Sequence, residues 1–104
     1  MPREQFQTLT EPMYYVLLAL VDECCGVDVM NKVMDLSNGR VVVGPGTVYA
    51  MLDKFLKNKI IKEVSSQGRK RSYLITQHGK ELLIAEYNRI QTLFSDGKKI
   101  LEDI

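Results

Sequence analysis

Apolar residues return every third or fourth position in four stretches of the chain and alternate clearly in one. Tyr14, Leu17, Leu18 and Val21 share one side of a first helix, opened by Thr10-Glu11-Pro12, where threonine can cap and proline suits the first turn. Gly26 is expected to end it. Val29, Met30, Val33, Met34 and Leu36 mark a second helix over about 27–37, stopped by Asn38-Gly39. Residues 40–43 are mostly β-branched and read as a short strand. Gly44-Pro45-Gly46 then breaks the chain, and a third helix starts at Thr47 with Val48, Met51, Leu52, Phe55 and Leu56 as its buried stripe. Residues 60–64 and 71–75 form two strands. In the second, Arg71, Tyr73 and Ile75 alternate with Ser72 and Leu74. The polar, basic stretch 65–70 is their hairpin tip. Thr76 caps a last helix in which Leu83, Tyr87, Ile90, Phe94 and Leu101 fall at spacings of 4, 3, 4 and 7, with Gly97 at the skipped position. Ser95-Asp96-Gly97 is where a kink or a frayed turn is expected.

Helix, helix, short strand, helix and two-stranded hairpin is the order of a winged helix-turn-helix. The class is mainly α with a small β-hairpin wing, residues 1–76 forming the winged unit and residues 77–104 a C-terminal dimerisation helix within one compact domain. Net charge is only +1 over 104 residues, but seven of the 14 basic residues lie between Lys54 and Arg71, against one acidic residue, Glu63. Both the third helix and the hairpin tip are therefore cationic, the footprint of a DNA-binding surface. A helix N-terminus offers unpaired N–H groups to phosphate, and Gly46 lets backbone approach a duplex closely. Thr47 and Tyr49 add hydroxyl donors beside Ala50, Lys54 and Lys57 extend positive charge, and Arg69, Lys70 and Arg71 put cations on the wing.

Other chemistries fit poorly. Hydrophobic residues make up 45% and charged residues 26%, a folded rather than disordered composition. The run Val16 to Val21 is too short to span a bilayer and lacks the flanks of a signal peptide, so a cytoplasmic protein without membrane contact is expected. One histidine, His78, and no phosphate loop or acid–base pair argue against an enzyme and against any cofactor. Cys24 and Cys25 are adjacent and alone, too few for a tetrahedral metal site, and are expected to be reduced thiols.

Over nearly its whole length the sequence resembles the PadR family of bacterial transcriptional regulators. The resemblance is carried by residues 26–34 (GVDVMNKVM), by Val43-Gly44-Pro45-Gly46-Thr47-Val48-Tyr49, by Leu52, Phe55-Leu56 and Ile60-Ile61, by residues 68–73 (GRKRSY), and by Ile75-Thr76 and Gly79. A single helix after the wing is similar to the small members of that family. The resemblance implies a homodimeric repressor whose recognition helix begins at Gly46-Thr47, whose Tyr49 contacts DNA, and whose wing at residues 68–71 touches backbone or minor groove. Two positions depart from the family pattern. Asn58-Lys59 stands where an acidic residue and glycine are usual, with Asn58 expected to take the left-handed turn, and Ser72 replaces an aromatic residue.

A terminal helix carrying Leu83, Tyr87, Ile90, Phe94 and Leu101 needs a place to bury that stripe. A two-fold dimer supplies one and matches a palindromic double-stranded operator with half-sites about one helical turn apart. The first helix of the same chain could absorb part of it. Some small family members bind flat hydrophobic compounds between aromatic side chains at the dimer interface. Here Phe6, Met13, Tyr14, Tyr15 and Phe94 are the candidates for such an effector pocket, although the chain has no tryptophan. The competing function is a winged-helix protein-interaction module without DNA binding, which would not need cations on both helix and wing.

Overall fold

The computed structural model describes residues 8–64 and 71–103. Its elements are α1 (Glu11–Ala19), β1 (Cys24–Cys25), α2 (Gly26–Leu36), α3 (Pro45–Lys57), β2 (Ile61–Val64), β3 (Ser72–Ile75) and α4 (Gln77–Leu101). One antiparallel sheet runs β1-β3-β2, with Glu63 opposite Tyr73 and Cys24 opposite Tyr73 on the other edge. Three helices pack over it, and Val16, Leu17, Leu20, Val29, Val33, Val48, Leu52, Phe55, Ile60 and Ile61 are fully enclosed. The fold class agrees with the pattern of apolar positions, but the element order differs in one place: the short strand expected between the second and third helices stands instead between the first and second. The expected hairpin tip at residues 65–70 lies outside the described residues.

Thr10 caps α1 by accepting from the Met13 N–H at 3.3 Å, and Thr76 caps α4 by accepting from Gly79 N–H at 3.1 Å. The first helix, however, ends at Ala19 rather than near Gly26. Leu20 O accepts from Ile75 N–H (2.8 Å) and Gly26 N–H donates to Arg71 O (3.2 Å), so β3 captures the chain as an edge strand. No basic residue offsets the negative end of α1, and Asp22-Glu23 follow it directly. The strand expected at residues 40–43 does not form. Val41 and Val43 are buried while Val42 is 70% exposed, so the alternation is real, but the segment joins none of the three strands of the sheet. The segment is instead held extended by Val41 N–H donating to Ser37 Oγ at 2.9 Å.

The exit from α3 also differs from expectation. Asn58 keeps an ordinary φ of −96° and ties its side-chain amide to Lys54 O, while Lys59 takes the left-handed conformation with φ +59°. A lysine pays roughly 1 kcal/mol for that backbone. Lys59→Gly should therefore raise stability by about 0.5–1 kcal/mol in urea titration; a neutral or destabilising result would refute the strain.

The last helix runs unbroken through Gly97. Its first part packs on α1 and β3, burying Leu83 and Glu86. From Tyr87 to Asp103 every residue except Gly97 is exposed. The radius of gyration is 15.3 Å, against about 13 Å for a compact domain of this length, because that half of the helix projects.

Glu86 is buried where α4 crosses the chain entering α1. Its carboxylate takes two 2.7 Å hydrogen bonds from Arg89 and one of 3.3 Å from Leu9 N–H. The Arg89 guanidinium, outweighing the cost of burial, holds the carboxyl below the ordinary glutamate value near 4.5. A depressed carboxyl contributes stability above its unfolded pKa and loses it as pH falls through its folded one. The melting temperature should thus fall more steeply below about pH 4.5 in the parent chain than in Glu86→Gln; parallel curves would remove Glu86 from the acid transition.

Candidate nucleic-acid interface

Gly44 precedes α3 in an extended conformation (φ −82°, ψ 166°) with no side chain to cap it, and Pro45 fills the first helical position. Proline has no N–H, so the exposed donors of the first turn come from Gly46 and Thr47. Among the described residues, nothing lies within 4 Å of the Cβ that Gly44 or Gly46 lacks. No contact within the fold demands glycine at either place; the space opens outward.

With Val48, Leu52 and Phe55 turned into the core, the opposite line of α3 is Gly46, Ala50, Asp53 and Lys57, all exposed. Thr47 and Lys54 flank this line on the α1 side. There they border a groove of about 410 Å3 with Thr10, Met13, Gly46, Ala50, Met51 and Phe55. Tyr49 flanks it on the other side, half exposed, its ring against Gly26 at the start of α2: a Cβ on Gly26 would stand 3.1 Å from Tyr49 Cε1 and 3.4 Å from Tyr73 Cε2. Tyr49 Oη lies 3.4 Å from the same point, so the hydroxyl end of the ring sits beside the start of α2 while the residue stays 46% exposed. Lys57 pairs with Asp53 at 3.2 Å, both well exposed. Such a pair contributes only a few tenths of a kcal/mol, so Lys57 can exchange it for a phosphate.

Gly46, Thr47, Tyr49, Ala50, Lys54 and Lys57 thus share one continuous surface. Arg71 is exposed at the foot of β3, and its carbonyl accepts from Gly26 N–H, placing the wing's root beside α2. Arg69 and Lys70 lie outside the described residues. From the sequence, Thr10 and Gly26 have roles at helix ends but not in this site. Both join the site through tertiary contacts that helical periodicity does not register.

A profile of the transcriptional regulator PadR-like family matches residues 16–85. The chain belongs to that family. Among solved structures, a PadR family regulator from Eggerthella lenta superposes with a TM-score of 0.72 at 17% identity, covering 88% of this chain and 81% of that one. One from hypervirulent Clostridium difficile gives 0.70 at 18% identity, covering 86% and 97%. BpsR of Bordetella bronchiseptica, solved for the regulation of its DNA binding by 6-hydroxynicotinic acid, gives 0.67 at 20% identity, covering 88% of this chain and 62% of its own. At these identities the likeness speaks for the fold alone. No curated protein sequence matches. Members of this family are transcription regulators, not enzymes.

The other candidate residues of this PadR-like chain divide. Leu83, placed on the dimer seam by its spacing, is 7% exposed and belongs to the chain's own core. Tyr87, Ile90, Phe94 and Leu101 are 56%, 40%, 68% and 66% exposed on the projecting helix. The candidate effector residues do not form one pocket. Met13 faces the groove beside α3, whereas Tyr14 and Tyr15 line a separate cleft of about 390 Å3 with Leu9, Glu11, Arg40, Glu86, Arg89 and Ile90. Phe94 borders neither, and Phe6 lies outside the described residues. The cleft is more charged than a pocket for flat apolar compounds: Arg40 binds Glu11 at 2.6 Å and donates to Tyr15 Oη at 2.9 Å. Cys24 is buried, which pushes its thiol up, and Cys25 Sγ lies 3.4 Å from Ser72 Oγ; both are free thiols. No helix among the described residues is long and apolar enough to cross a membrane.

Proposed function

We propose that this PadR-like regulator is a cytoplasmic, homodimeric repressor that binds a palindromic operator through α3 and the wing. The observation that carries the reading is the outer surface of α3: glycines that no internal contact requires, exposed lysines at 54 and 57, and hydroxyl residues Thr47 and Tyr49 on its two flanks. Arg69, Lys70 and Arg71 would extend the same positive surface onto the wing. Residues 1–76 act as the reading unit and residues 77–104 as the pairing helix, through Tyr87, Ile90, Phe94 and Leu101. Release by a small effector is a secondary reading. It is supported by the two-tyrosine cleft, whose guanidinium rim suits a polar aromatic compound better than a purely apolar one.

The test is fluorescence anisotropy against DNA upstream of the chain's own gene, with scrambled DNA as control, at several salt concentrations. Preferential binding that weakens steeply with salt is expected. Lys54→Ala should weaken binding to every sequence and flatten the salt slope by about one unit, as loss of one phosphate contact does. An unchanged slope would take Lys54 out of the interface, and no DNA binding even at low salt would favour a protein-interaction module.

A further inference from the structure

On the outer line of α3, Gly46 and Ala50 carry no group that can hydrogen-bond a base, so Asp53 is the first side chain on that line that can. A helix entering the major groove, about 12 Å wide, sends the line opposite its core face deepest. A carboxylate there is unexpected in a DNA binder. It repels phosphate, it makes no contact with the core, and its single partner among the described residues is Lys57, one turn on at 3.2 Å. At that exposure the pair is weak, so Asp53 can leave Lys57 for a base as Lys57 leaves it for a phosphate. A carboxylate only accepts hydrogen bonds; cytosine presents its N4 amino donor alone in the major groove, whereas adenine sets its N6 donor beside the N7 acceptor, which disfavours a carboxylate.

We propose that Asp53 is the specificity-determining residue of the recognition helix and reads a cytosine in each half-site. This rests on the regulator reading above. Sites lacking the amino donor leave the carboxylate desolvated and unpaired, so Asp53 acts by rejecting wrong sequences as much as by holding the right one.

The experiment is selection of binding sites from a random duplex pool by the parent chain, Asp53→Asn and Asp53→Ala in parallel. Asp53 is exposed, so all three chains should fold alike. The parent should select cytosine at one symmetric position per half-site, at least about tenfold over other bases. Asp53→Asn should move that preference to adenine, whose N6 and N7 pair with a carboxamide. Asp53→Ala should lose the preference there while binding random DNA several-fold more tightly, with one negative charge removed. Identical motifs from all three chains would overturn the assignment, as would variants that gain general affinity but keep the cytosine. A parent chain that enriches no motif would overturn the regulator reading itself, and this one with it.

Discussion

Gly79→Ala should destabilise the chain by about 3 kcal/mol or more, lowering the melting temperature by on the order of 15 °C. Gly79 lies in the first turn of α4, directly over the turn that leaves α3. Its added Cβ would fall well inside contact of the Ile60 carbonyl oxygen and 2.7 Å from Ile75 Cγ1. The oxygen cannot retreat, because it accepts from Thr76 N–H at 2.9 Å and lies 2.9 Å from Thr76 Oγ1, which also reaches Lys59 O at 2.7 Å. The same hydroxyl accepts from Gly79 N–H, so α4 is stitched to the α3 exit at its first turn. Gly97→Ala is the internal control. Its Cβ would meet only Leu101 Cδ1, at 4.0 Å, so the same change should stabilise the exposed helix by roughly 0.5–1 kcal/mol. Thermal melts of both variants would refute this account if the Gly79 variant melted with the parent.

The second large effect is expected at the far end of α4. Ile90→Asp with Phe94→Asp should abolish the proposed dimer while the fold persists, since Phe94 is 68% exposed and Ile90, at 40%, lies at the rim of the cleft rather than in the core. Two half-sites held by one dimer gain about 100- to 10,000-fold over a single half-site. Operator affinity should accordingly fall on the order of a thousandfold, while weak binding to random DNA changes far less. Sedimentation would show a monomer with an unaltered circular dichroism spectrum. A dimer that persisted would move the interface elsewhere on the chain.

Much of this architecture is legible in the sequence because local and global signals agree. Thr10 and Thr76 cap the helices their side chains suit, and Val48, Leu52 and Phe55 bury the stripe that their period marks. Most of the misreadings share a cause: contacts between distant segments. Cys24-Cys25 carries no strand pattern of its own, and becomes one because β3 has a free edge beside it. Val41 and Val43 alternate in burial as a strand should, but pair with no strand of the sheet and are tied to Ser37 instead. Leu83 belongs to the apolar seam by spacing, yet only packing against α1 and β3 decides that its own chain buries it. Lys59, not Asn58, takes the left-handed turn because the asparagine amide is engaged with Lys54 O, a tie that residue preferences do not weigh. On the recognition surface, the hydroxyls and lysines are visible as residue types. The position of Asp53 opposite the core emerges only once burial has fixed the helix's rotation.

The division of α4 has one more consequence. The stretch that completes the domain and the stretch offered to a partner are successive parts of one helix, and they share almost no side chains. In a dimer built on the far half, a subunit would leave its mate without coming apart itself. If the far half is the pairing surface, the assembled fraction, and with it promoter occupancy, follows the square of the copy number at low abundance. Dilution by cell growth would then lift repression without any signal molecule.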